Sequence, residues 1–367
     1  MLSDSDNSTD LPILLINGTA PTPKFSFDDW FNDFWPLFNA ILSVLQIVGL
    51  SLNVFHFSIL TRKEMRGNPV YRMMIAICFC DMTSQILSFT SWSPFLIRSP
   101  KTVEEECYSS QNYFDVMTDY VIVPILDVFQ RTSSWLAVFM ALFRTLSVKF
   151  PLSSSLQKLS RPSVAITTLV GMLVVSAVWV YIVVARFYVE EVHVEKNCIG
   201  DLVQLDEPRY SRLLQNGTEN VHHTILMFYG LFKAFPSLID LTIAIVLVFE
   251  LRKTKLRRKN LMKSDSDNSD NTTKLILFMT TIFFLLEVPN GASHMFVSFA
   301  DKENTLYNPM LYLLVVSEIL PVINSSTHIF VCYFISSQYK DTAQRMVGVK
   351  KENLVVVMGK TSDGTAS

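Results

Sequence analysis

Charge is scarce in this chain. Only 17% of its residues are Asp, Glu, Lys or Arg, against roughly a quarter in an ordinary soluble domain, while half are hydrophobic. That surplus comes in long unbroken blocks, not in amphipathic patterns, and it needs lipid to cover it. The two signs nearly cancel, with 31 basic and 33 acidic residues, so no global field exists to gather nucleic acid. The signatures of catalysis are missing too. There is no Gly-rich phosphate loop, nucleophile elbow or pair of catalytic carboxylates. His222 and His223 stand side by side, not at the spacing of zinc ligands. Neither an enzyme nor a resident cofactor is expected. No cleavable signal peptide is expected either: Met1 to Asp10 reads MLSDSDNSTD, where such a signal needs a basic start and an apolar core. The first membrane span is expected to do the targeting.

What the chain does have is seven apolar runs: Leu37 to Leu60, Tyr71 to Leu96, Tyr120 to Val148, Val164 to Tyr188, Ile225 to Leu251, Leu275 to Phe299 and Met310 to Phe334. About 20 apolar residues cross a bilayer, and a bilayer offers backbone groups no water, so each run is expected to be a helix. The expectation is an all-α membrane protein, a seven-transmembrane helix bundle. The third run carries Asp127, Arg131 and Arg144, which places it inside the bundle.

Orientation follows from the basic residues of the short loops. Arg62, Lys63 and Arg66 follow span one; Lys149, Lys158 and Arg161 follow span three; a run from Arg252 to Lys259 follows span five. This puts the N-terminus outside and the C-terminus in the cytosol. The expected organisation is an extracellular tail over 1–35, a seven-span membrane domain over 36–335, and an amphipathic helix with cytosolic tail over 336–367. That helix rests on Tyr339, Ala343, Met346 and Val347, spaced for one face, with an unstructured tail as the alternative. N-x-Ser/Thr sequons at Asn7, Asn17 and Asn216 fall on the outer face, where glycosylation is possible. Cys107 and Cys198, in polar segments of that face, suggest a disulfide. The hexapeptide SDSDNS, at Ser3 to Ser8 and Ser264 to Ser269, reads as solvated linker.

Landmarks at matching depths give the bundle a family likeness. Asn53, Asp81, Arg144, Pro236, Pro289 and Asn324 match those of rhodopsin-like G-protein-coupled receptors. The segments LTRKEMR, SWLAVFMALFRTLSVKFP, TTKLILFMTTIFFLLEVPNG and SSQYK resemble the nematode serpentine receptors of class W. These are chemoreceptors similar to FMRFamide-type neuropeptide receptors. The resemblance spans Trp35 to Lys340. It implies plasma-membrane localisation, an extracellular peptide or small polar ligand, and a heterotrimeric G protein as partner. Asn53, Asp81, Arg144, Pro289 and Asn324 would carry activation and coupling. The chain departs from the rhodopsin-like pattern in three places. Phe143 replaces the acid beside the span-three arginine, Glu287 replaces the tryptophan two residues before the span-six proline, and Asn324 opens the sequence NSSTH in span seven.

An ionisable group at mid-bilayer costs about 2.5–3.5 kcal/mol on insertion scales and invites a functional reading. Asp81, facing Asn53 and Asn324 as the resemblance implies, stands either in a plain hydrogen-bond network or in a sodium site shared with Ser133. Asp127 and Arg131, one turn apart, either pair with each other or join Lys233, Glu287 and Glu318 around a ligand. A pocket bearing both signs suits a peptide or zwitterion better than an apolar odorant. An ion channel or transporter is the alternative from another class.

Overall fold

The computed structural model describes residues 27–67, 69–97, 113–150, 162–192, 209–215, 219–261, 267–299 and 306–348. Cys107, Cys198, Asn7, Asn17 and Asn216 lie outside these residues. The helices are α1 (Phe27–Leu60), α2 (Pro69–Ile97), α3 (Tyr113–Lys149) and α4 (Pro162–Val184). After two strands come α5 (Glu219–Leu261), α6 (Asp267–Phe299), α7 (Tyr307–Val316), α8 (Ile319–Ile335) and α9 (Ser337–Met346). Among the described residues, seven stretches are long and apolar enough to cross a membrane, α7 and α8 together forming the seventh. α3 packs on α2, α4 and α5, and α5 on α6, while α1 closes the ring against α2 and α8. α4 is the most apolar span and the least buried. Its Ile166, Val170, Val174 and Val178 all point outward, as a lipid-facing helix requires.

The helices differ from the sequence expectation where local chemistry overrides bulk hydropathy. Span four stops at Val184, not Tyr188, because Phe187–Val192 pairs as β1 with β2 (Arg209–Leu214), antiparallel and with Phe187 opposite Leu214. The sequence FYVEEV is aromatic and β-branched, which favours strand. The Tyr120 hydroxyl on α3 donates to the Phe187 carbonyl at 3.2 Å, and Arg212 stacks on Phe187 with its guanidinium carbon 4.0 Å from the ring centroid. Burial pulls the Arg212 guanidinium below its ordinary value, with the nearby Tyr120 and Asp119 opposing. The second SDSDNS copy is not wholly linker, since its Asp267 to Ser269 already belong to α6. The basic run Arg252 to Lys259 continues α5 as helix.

Span seven is broken at Ser317 and Glu318. Pro321 has no N–H to give the Ser317 carbonyl, and its ring would crowd that carbonyl in a regular helix. The carbonyl accepts instead from Leu320 N–H at 3.0 Å, and Glu318 N–H reaches back only three residues to Val315 O at 3.1 Å. This tight turn separates α7 from α8.

At the opposite end from the strands, α9 folds back on the bundle. Ser336 caps it by accepting from Tyr339 N–H at 3.1 Å, and Gly348 stops it in a left-handed conformation, φ 81°. Tyr339 is fully buried, 2.6 Å from His56 Nδ1, and Ala343 and Met346 pack on the same core. Val347, at the helix's C-cap, is exposed.

Candidate functional site

The charges expected at ligand depth meet across three helices. Asp127 and Arg131 lie on one face of α3, and the Arg131 Nε donates to Asp127 Oδ2 at 2.7 Å. From α5, the Tyr229 hydroxyl donates to the other carboxylate oxygen at 2.8 Å, and its ring lies 4.3 Å from the guanidinium carbon. Lys233 follows one turn later on α5, with Nζ 5.5 Å from the Tyr229 centroid and 3.4 Å from His294 Nε2 on α6. His294 in turn meets Tyr229 edge to face at 4.9 Å. Glu287 of α6 is buried, and Lys233 lies within electrostatic reach of both Glu287 and Glu318. The break in span seven places Glu318 at the head of α8.

Asp127, Arg131, Lys233 and Glu287 line one buried cavity, with Gln130 and Trp135 beside them. Pro236 and Pro321 also reach it. A proline inside α5 and the one that follows the break in span seven therefore border the same space. Arg131 Nη2 is buried without a hydrogen-bond partner.

A second polar cluster lies further toward α9. Asp81 accepts from the Ser133 hydroxyl at 2.6 Å, and its other oxygen, Oδ2, stands 3.6 Å from His328 Nδ1 with no hydrogen bond. Asn53 turns to Gln85 at 3.3 Å and to Ser325 at 3.4 Å, and Gln85 also donates to Ser325. The asparagine expected to face Asp81 is thus joined to span seven by Ser325. Asn324 lines a cavity with Ser133 and His328. A hydrogen bond from Ser133 accounts for one Asp81 oxygen. Among the described residues, no cluster of three or more His, Cys, Asp or Glu is placed to hold a metal.

Pro289 lies inside α6, two residues after Glu287, and the helix continues past it to Phe299. The α3 backbone is helical through Arg144, and Phe143, in the position of the usual acid, packs against Phe139 at 6.0 Å between centroids.

Several participants escaped the sequence reading. Tyr229, four residues before Lys233, and His294 are ordinary interfacial residues in one dimension. Asp240 carried a visible signal, an acid inside an apolar run. It is 2% exposed, accepts a hydrogen bond from Thr280 of α6, and keeps Oδ1 unpartnered.

Seven apolar helices around buried charged cavities make a multi-pass membrane bundle, and the family match makes it a G-protein-coupled receptor. The chain belongs to the serpentine type 7TM GPCR chemoreceptor Srw family, whose model matches residues 39–350. Comparison with curated proteins finds no match. Membership makes this a plasma-membrane protein with an extracellular ligand and a G protein as partners.

Proposed function

We propose that this receptor binds a neuropeptide, or another polar ligand bearing charge, in the cavity between α3, α5, α6 and α8, and passes the signal to a heterotrimeric G protein. The reading rests on one observation: side chains of both signs, Asp127, Arg131, Lys233 and Glu287, line a single buried cavity, with Glu318 in electrostatic reach of Lys233. Such a site penalises an apolar occupant, because buried charge needs a partner. In this reading the β1–β2 end faces outside, with the Cys107–Cys198 disulfide and glycans on Asn7, Asn17 and Asn216. The α9 end and the basic run of α5 face the cytosol.

Ligand stabilises the open bundle by its differential affinity for it, and coupling to the G protein is reciprocal. Pro289 provides the bend in α6. Asn53, Asp81 and Asn324 form the polar relay below the cavity, and Arg144 meets the G protein. An environmental chemoreceptor for a small polar molecule is the second reading, favoured by the family's description as chemoreceptors.

The test is G-protein activation in cells expressing the full chain, screened against amidated neuropeptides and small polar metabolites. A saturable peptide response, abolished in Arg144→Ala at unchanged surface expression, is expected. A response to metabolites alone moves the assignment to chemosensing, and full signalling by Arg144→Ala removes the role given to that residue.

A further inference from the structure

The pair α5 and α6 is built differently in its two halves. Toward the strands, Gly230 and Gly291 let the two backbones touch, with Ala234 and Met295 against them, and Lys233 meets His294 at 3.4 Å. The contacts of Gly230 with Met295 and of Ala234 with Gly291 run antiparallel. Two residues further toward α9 on each helix stands a proline, Pro236 in α5 and Pro289 in α6, so both fall at one level. Each takes an N–H out of its helix ladder, and the pair is softest to bending there.

Past the prolines, toward α9, a polar contact takes over from the glycines. Asp240 of α5 and Thr280 of α6 are both buried, and the Thr280 hydroxyl donates to the Asp240 carboxyl. The remaining oxygen, Oδ1, meets no protein donor among the described residues. Both residues line a cavity with Ser134 of α3 and with Asn324 and His328 of α8. Further toward α9, Ala141 of α3 and Leu247 of α5 pack together with Ile243 and are buried, so α3 and α5 are shut against each other at this end. A carboxyl group in that interior has room for more hydrogen bonds than Thr280 supplies, whether or not it carries a proton. Parting of the helices admits water that meets the demand. Thr280 therefore opposes opening, and Asp240 favours it.

We propose that Asp240 and Thr280 form a latch that sets how readily the α9 ends of α5 and α6 part, which makes them positioning residues for G-protein coupling. This rests on the reading that the α9 end faces the cytosol and opens for the G protein. The two halves of the latch act with opposite sign. Losing the Thr280 hydroxyl leaves a buried carboxyl without its donor and favours the open bundle, whereas apolar groups in place of both remove the demand and let the bundle stay shut. A contact that served packing alone would show no such reversal.

The experiment uses the full chain in cells and reads G-protein activation without added ligand, per receptor at the surface. Thr280→Val is expected to raise this basal signal about fivefold, the shift that one net hydrogen bond produces. Thr280→Ser, which keeps the hydroxyl, is expected to match the parent, and Thr280→Val combined with Asp240→Leu to fall back to the parent's signal or below it. A second measurement needs no G protein. Spin labels on Val246→Cys and Phe278→Cys, exposed positions of α5 and α6 on the α9 side of the prolines, report the spacing of the two helices in receptor purified from whole membranes, so poor surface delivery leaves it readable. Cys78, Cys80 and Cys332 are buried, and receptor without the added cysteines gives the background. Thr280→Val is expected to enlarge the population at longer distance and the double change to shrink it again. An unchanged distance distribution in Thr280→Val overturns the latch, as does a double variant as open as the single one. A change of distance with no change of basal signal instead defeats the coupling reading, since the helices then part without effect on the G protein.

Discussion

Arg131 is 8% exposed and pairs directly with the Asp127 carboxylate at 2.7 Å. Removing one partner of a buried ion pair leaves the other charge uncompensated, at a cost of about 3–5 kcal/mol, whereas replacing both with apolar groups of similar size is often neutral. Asp127→Asn is therefore expected to lower the melting temperature of detergent-solubilised receptor sharply, and the double change Asp127→Leu with Arg131→Met to recover most of the loss. Thermal unfolding of the three proteins measures this, and an Asp127→Asn protein as stable as the parent would contradict the pairing. At this scale much of the site was legible. A charge inside an apolar run is conspicuous in one dimension because lipid forbids it without a reason, and Asp81, Asp127, Arg131, Lys233, Glu287 and Glu318 all stand out that way. Tyr229 and His294 do not, since a tyrosine or histidine in a span has many uses. Their part here comes from the turn of α5 and α6 that brings both against Lys233.

Helix against helix, α5 and α6 approach backbone to backbone. A Cβ built on Gly291 would stand 2.7 Å from the Ala234 Cβ and 2.9 Å from its backbone nitrogen. One on Gly230 would stand 2.7 Å from Met295 N and 2.8 Å from the Gly291 carbonyl. Small residues allow membrane helices to pack backbone to backbone in this way, and the contact sets how far Lys233 and Glu287 sit from each other. Gly291→Val is expected to force the helices apart and cut surface delivery severalfold, measured by labelling of intact cells. Gly171→Ala, on α4 with nothing within 4 Å of the new carbon, is expected to leave delivery unchanged. Equal delivery of both variants would sink the packing argument. Element boundaries were less legible than element existence. Hydropathy counted Tyr188 into span four because it is apolar, while backbone pairing with Leu213 decided it for strand. Pro321 lay in plain view, but a proline inside a span can bend a helix or break it, and only the neighbouring Ser317 and Leu320 hydrogen bonds distinguish the two.

For the whole molecule, the outward faces are apolar and the inward faces carry the charge, the reverse of a soluble protein. Val175, Phe249, Leu285 and Phe334 are each at least 60% exposed, and hydrocarbon is the solvent that suits them. Alkaline carbonate washing of membranes is expected to leave the chain entirely in the pellet, with detergent required for release; appearance in the wash would be incompatible with seven spans. The number of spans, their approximate limits and the family followed from the sequence alone. Each depends on sums over contiguous residues, and a bilayer reads hydrophobicity along the chain just as a reader does. Which charges meet was decided only by the tertiary structure. The Asp127–Arg131 pair over Tyr229, the turn of Asn53 toward Ser325, and the break that sets Glu318 within reach of Lys233 depend on the rotation and spacing of helices. Those follow from close packing at Gly230 and Gly291, which joins residues far apart in the chain, and from the tight turn before Pro321, where the Ser317 carbonyl pairs with Leu320.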